Sequence, residues 1–189
     1  MGGYYNSNGL WVVTETGVVR LPINNFCLAA GTPLAAWADG VSSTPGLNLA
    51  DSEAVGVRWN TDATPAAIWT QVLLPADRRP YTAITLHILA SKVGATVGDA
   101  VTFLVTAFAP TVGALHDADA NFGGTSSAMT GDATSKTVQH VTLTLAAADI
   151  PASPASMSLS IKPTNGTIGT DDVIIENIWL EYERNVTPT

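Results

Sequence analysis

The side chains best suited to acid–base or metal chemistry are the three histidines, His87, His116 and His140. Histidine is the usual base and metal ligand near neutral pH. No HxH, HExxH or CxxC spacing accompanies them. His87 and His140 each fall inside an alternating strand pattern, which makes them surface or half-buried strand residues and not parts of a constellation. The stretch Asp117-Ala-Asp119-Ala-Asn121-Phe-Gly123 offers oxygen ligands at alternate positions, as a calcium loop does. Its glycine comes one position late, and Ala128 stands where a bidentate glutamate is needed. The residues therefore assign no metal, and the stretch reads as a solvated Asp/Asn/Gly loop.

Glu176, Glu181, Glu183 and the pair Asp171-Asp172 are the carboxylates a glycosidase would draw on. Most project from the solvent side of a strand, and nothing in the sequence pairs them. There is no Gly-x-Ser-x-Gly elbow and no phosphate-cradling glycine loop. The expectation is a protein without catalytic residues and without a cofactor. An esterase or glycosidase survives only as catalytic groups converging from distant strands.

The five tryptophans carry more information. Trp59 and Trp69 lie in strand patterns and are expected in the core or between sheets. Trp11 stands close to Tyr4 and Tyr5 in a Gly/Asn-rich segment. These three are the candidate interface residues, because large amphipathic rings give contacts high energy per residue. The other reading of Trp11 is simple membership of the first strand.

The elements that must position these residues are strands. Period-two alternation with abundant β-branched residues recurs along the chain. Thr82 to Ser91 places Ile84, Leu86, Ile88 and Ala90 on one face, and Ala100 to Phe108 does the same with Val101, Phe103, Val105 and Ala107. Lys136 to Leu145 and Ala155 to Lys162 follow suit. Asp172 to Arg184 sets Ile174, Glu176, Ile178, Leu180 and Tyr182 against Val173, Ile175, Trp179 and Glu181. Glu53 to Asn60 and Ala67 to Leu74 are shorter. Leu10-Trp-Val-Val and Gly17-Val-Val-Arg flank Thr14-Glu-Thr, which predicts a hairpin with Gly17 at a positive φ. Leu145 to Pro151 predicts a single helical turn. Leu21 to Asp51 either holds a strand around Pro33 to Ala38 or is an arm packed on something else, and His116 to Asp132 reads as a polar loop.

Eight or nine strands with almost no helix predict an all-β protein, a single β-sandwich of jelly-roll type with an irregular N-terminal arm or hairpin. The arm covers residues 1–36 and the sandwich residues 37–189, in one compact domain overall. A chain of 189 residues buries enough surface to fold without metal or disulfide, and Cys27 is the sole cysteine.

Only 13% of residues are charged and the net charge is −8. An acidic surface without a basic stripe argues against nucleic acid as a partner, and no run approaches the roughly 20 apolar residues of a membrane span. The N-terminus lacks a basic region followed by an apolar one, so synthesis and folding in a cytoplasm are expected. Low charge with many small residues points to a surface partly covered by neighbours.

From Trp37-Ala-Asp-Gly through Val55-Gly-Val-Arg-Trp, Leu73-Leu-Pro, Ile84-Thr-Leu-His-Ile, Ala118-Asp-Ala-Asn and Leu159-Ser-Ile-Lys to Val173-Ile-Ile-Glu-Asn-Ile-Trp-Leu-Glu-Tyr-Glu, the chain resembles virion structural proteins of tailed bacteriophages. The resemblance lies in strand pattern and order. It implies a capsid decoration, or cement, protein: a homotrimer on the outer capsid surface of the virion, with the major capsid protein as partner. The family offers interfaces and no functional motif to carry over. The alternative reading is a receptor- or carbohydrate-binding module of a phage fibre or spike, since jelly rolls bind sugars at their loop ends and this chain has spare Trp and Asp/Asn.

Overall fold

The computed structural model describes residues 2–5, 9, 11–36, 44–48, 56–60, 64–93, 100–109, 121–129, 137–150, 155–164 and 172–186. Twelve strands lie among them: β1 (Gly2–Tyr5), β2 (Trp11–Arg20), β3 (Cys27–Leu28), β4 (Gly46–Asn48), β5 (Gly56–Trp59), β6 (Ile68–Leu74), β7 (Ile84–Val93), β8 (Phe103–Phe108), β9 (Asn121–Thr125), β10 (Gln139–Leu145), β11 (Ala155–Pro163) and β12 (Asp172–Val186). Short 3-10 turns at Ile23–Asn25 and Ala147–Asp149 are the helical elements of the described residues, the second within the expected turn before Pro151. No helix among them is long and apolar enough to cross a membrane.

The strands form two antiparallel sheets, a β-sandwich of jelly-roll type in which consecutive strands from β5 to β8 alternate between the sheets. The smaller sheet runs β3-β6-β11-β8-β9. The larger is built on β12. One edge of β12 pairs with β7 from Asp172 to Tyr182, and β10 lies beyond β7. Its other edge is shared, by β5 at Val173–Ile175 and by β2 at Trp179–Val186. β4 lies outside β5 and β1 outside β2.

The alternating apolar positions meet between the sheets. Ile84, Leu86, Ile88 and Ala90 of β7, with Ile178 and Leu180 of β12, face Ile68 and Val72 of β6, Phe103 and Val105 of β8, and Met157, Leu159 and Ile161 of β11. Each such aliphatic side chain, removed from water, contributes roughly 1.5–3 kcal/mol. Trp59 is buried here as expected, and its indole N–H donates to the Ala66 carbonyl at 2.8 Å.

Three expectations need correction. Trp11 to Arg20 is one continuous strand, and the hairpin forms between β1 and β2, with Tyr5 opposite Trp11. Gly17 has no positive φ. It is opposite Tyr182, whose ring occupies the space a Cβ at Gly17 would need. The N-terminal hairpin thereby belongs to the larger sheet, with β2 running beside β12.

The polar segment His116 to Asp132 contains a strand, β9. Its Gly123-Gly124 obscures the alternation, and Gly123 is required because its φ is 137° and the Val105 carbonyl lies where a Cβ would project. Within Leu21 to Asp51, the described residues make β3, β4 and two single bridges, Cys27 to Pro33 and Ala36 to Leu47.

The third correction concerns the phase of β12. Its pairing with β7 shifts between Ile175 and Asn177, a β-bulge at Glu176. Val173 and Ile175 face the core before it, and Ile178, Leu180 and Tyr182 face the core after it. One extra residue reverses the phase of a period-two pattern. Ile174 and Glu176 therefore do not share a face with Ile178, and Asn177, Trp179 and Glu181 point outward.

Candidate functional sites on the two sheet faces

The outer face of the smaller sheet carries Trp69 from β6 and Phe108 from β8. Between those strands runs β11, whose inward residues are Met157, Leu159 and Ile161 and whose outward ones are Ser158, Ser160 and Lys162. Ser160 pairs with Trp69 and Ser158 with Phe108, so the two aromatic residues sit diagonally across a strand of small side chains. The serines leave room for both rings to lean over β11. Their centroids lie 5.8 Å apart with the planes at 28°. Trp69, Phe108, Leu28, Leu104, Thr106 and Lys162 line a groove of about 690 Å³. Trp69 was expected in the core or between the sheets; it lies on the outer face, half-buried, because β6 buries Ile68, Thr70, Val72 and Leu74 instead.

The outer face of the larger sheet carries a second cluster. Trp179 of β12 is opposite His87 of β7, and their rings are 4.9 Å apart and only 4° from parallel. His140 of β10 is a diagonal neighbour of His87. His87 Nδ1 and His140 Nε2 are 2.8 Å apart, and the Trp179 ring lies 5.4 Å from His140. A hydrogen bond between ring nitrogens runs in the ring planes, so the two imidazoles sit edge to edge. Glu181 Oε2 lies 3.6 Å from His87 Nε2.

One tautomer satisfies this arrangement. If His140 Nε2–H donates to His87 Nδ1, the proton of His87 is on Nε2 and faces the Glu181 carboxylate. Burial pushes the His87 pKa below that of a free imidazole; Glu181 opposes that shift and His140 adds to it. His87 and His140 are strand residues as expected, but the structure brings them together where their spacing showed no constellation. The register of β7 against β10 decides this, and the long connection between those strands hides it.

The remaining carboxylates and cations are largely paired. Arg58 bonds Asp172 and Arg79 bonds Glu183, each at 2.6 Å, and Ser91 donates to Glu176 at 2.9 Å. Among the described residues no serine or threonine hydroxyl bonds either histidine, and no group of three or more potential ligands could hold a metal ion. Asp117, Asp119, Asp171, His116 and Trp37 lie outside the described residues, and Asn121 begins β9.

The interface candidates separate. Tyr4 is half-buried, with its hydroxyl 3.3 Å from Asn185 Oδ1 and the Arg79 guanidinium 4.4 Å from its ring centroid. Tyr5 and Trp11 are 70% and 47% exposed, packed edge to face at 5.0 Å.

No protein-family model matches the sequence, and no curated protein does either. Solved structures do. The fold is similar to that of a "xylan-binding module CBM15", with a TM-score of 0.50 and 11% identity over 89% of this chain and 97% of that one. A family 30 carbohydrate-binding module of a cellulosomal cellulase of Clostridium thermocellum aligns with a TM-score of 0.45 and 10% identity, over 86% and 96% of the two chains. At such identity the first likeness establishes the fold alone. The chain is a β-sandwich.

Proposed function

We propose that the protein is a non-catalytic saccharide-binding module and that sugar rings lie in the groove over the smaller sheet. The observation that carries this reading is the pair of rings, Trp69 and Phe108, held near-parallel over a floor of serines. A pyranose has faces of C–H groups that pack on aromatic rings and a rim of hydroxyls that needs polar partners. Thr106 and Lys162 supply such partners at the groove's edge. A cavity of this volume, mostly apolar with a few polar groups, is what small-ligand sites look like. The xylan-binding module with the similar fold makes xylan the first ligand to test.

Calorimetry or affinity electrophoresis against xylan, cello-oligosaccharides and mannan tests it. Trp69→Ala and Phe108→Ala should each weaken binding at least about tenfold, equivalent to about 1.4 kcal/mol, with the far-UV spectrum unchanged. Binding to none of these glycans, or equal binding by the variants, overturns the reading.

A second reading draws support from the N-terminal hairpin. Tyr5 and Trp11 present an exposed aromatic edge at the outside of the larger sheet, a composition suited to an interface. The phage resemblance makes the major capsid protein its partner and a homotrimer on the virion its assembled form. A saccharide groove and a docking hairpin are compatible on one chain, since they share no residue.

A further inference from the structure

We infer that the outer face of the larger sheet holds a second ligand site, formed by Trp179, Arg20 and Asn177, that takes the carboxylate-bearing ring of a uronic-acid unit. Arg20 of β2 pairs in register with Trp179 of β12, and Asn177 stands two residues away on the same face. With Val18 and Leu89 they line a hollow of about 300 Å³. β7 and β2 flank β12 on opposite sides. His87 and His140 lie parallel to the Trp179 ring, and the hollow runs from Val18 and Arg20 of β2 across Trp179 and Asn177 of β12 to Leu89 of β7.

Charge selects the ligand. The chain has 16 acidic and 8 basic residues, so carboxylate partners outnumber cations. The other described cations use them or are otherwise bonded: Arg58 with Asp172, Arg79 with Glu183, Arg184 with Glu15, Arg78 buried against the Thr82 carbonyl, and Lys92 bonded as well. Arg20 and Lys162 have no ion pair or hydrogen bond among the described residues, and each lines an aromatic-walled hollow.

A guanidinium presents two parallel N–H groups that fit a carboxylate fork to fork. Trp179 offers a flat wall for the C–H face of a sugar ring, and the exposed Asn177 amide offers a donor and an acceptor for its hydroxyls. Of the acidic groups on the same face, Glu181 turns its carboxylate to within 3.6 Å of His87 Nε2, and Glu183 is paired with Arg79. The site shares no residue with the Trp69–Phe108 groove, and it lies on the opposite face of the sandwich. It does not depend on that groove binding sugar.

The test titrates hexagalacturonate and neutral xylohexaose into the wild type, Arg20→Gln, Arg20→Lys and Trp69→Ala, reading affinity by calorimetry and the indole N–H resonances by NMR. Hexagalacturonate should shift the Trp179 resonance. Its affinity should fall at least tenfold in Arg20→Gln and less in Arg20→Lys, weaken as salt is raised, and persist in Trp69→Ala. Equal hexagalacturonate affinity in the wild type and Arg20→Gln, or an unmoved Trp179 resonance, overturns the inference. Loss of xylohexaose binding in Trp69→Ala bears on the smaller-sheet groove alone, so the two readings fail separately.

Discussion

His87 and His140 join β7 to β10 through ring nitrogens 2.8 Å apart, and the Trp179 ring runs within 14° of parallel to both imidazoles. The His87 side chain is only 12% exposed, so its charged form is poorly hydrated. Its pKa in the fold therefore lies below the value of about 6.5 that an unfolded chain has. Between the two values the unfolded state binds more protons, so stability falls as the pH drops from about 6.5 toward the depressed pKa and is fully present above 6.5. His87→Gln should flatten the decline of Tm between pH 7 and pH 5 relative to the wild type. Superimposable profiles of the two proteins would rule out a neutral buried imidazole.

Gly17 should not tolerate a methyl group. In Gly17→Ala the new Cβ meets the Tyr182 ring, whose hydroxyl donates to Asp77 at 3.1 Å. Moving that ring costs packing and the hydrogen bond together, about 1–3 kcal/mol. Urea unfolding measures this, and Tyr182→Leu in the same chain should recover part of the loss. Strict additivity of the two changes would contradict the clash.

Core and face positions should differ sharply. Leu86 is fully buried and Leu73 is 72% exposed. Leu86→Ala should cost about 2–5 kcal/mol, and Leu73→Ala should stay within about 0.5 kcal/mol. A comparable loss at both positions in thermal unfolding would mean that the outer face of the smaller sheet is covered.

The hairpin edge has its own readout. Tyr5→Ala with Trp11→Ala removes an edge-to-face pair that contributes about 0.5–1.5 kcal/mol, so the fold should survive. Native mass measurement should show a trimer for the wild type and a monomer for the double variant. Co-sedimentation with expanded capsids should be lost with it. A monomeric wild type that does not sediment with particles removes the assembly reading and leaves the saccharide groove untouched.

Much of the architecture is legible in the sequence because a sandwich strand leaves a direct trace: one buried face and one wet face, two residues apart. β6, β7, β8, β10 and β11 fall where that alternation places them. β1 and β9 escape it for a physical reason. They are edge strands with consecutive glycines, Gly2-Gly3 and Gly123-Gly124, and they show no apolar alternation to read. Trp59 and Trp69 look alike in sequence, yet one ends in the core and the other on the groove, because the inward phase differs between β5 and β6.

The residues by themselves determined that this chain is built of strands, that two sheets must cover each other, and that no nucleophile or metal motif is written along it. Tertiary structure decided which side chains share a face. The bulge at Glu176 turns Asn177, Trp179 and Glu181 outward. The register of β12 against β2 and β7 then sets Trp179 between Arg20 and His87, and that of β11 brings Trp69 and Phe108 together over two serines. Alternation is a local property of each strand. Pairing depends on which distant strand lies alongside and in which phase, and those choices are made by the packed core.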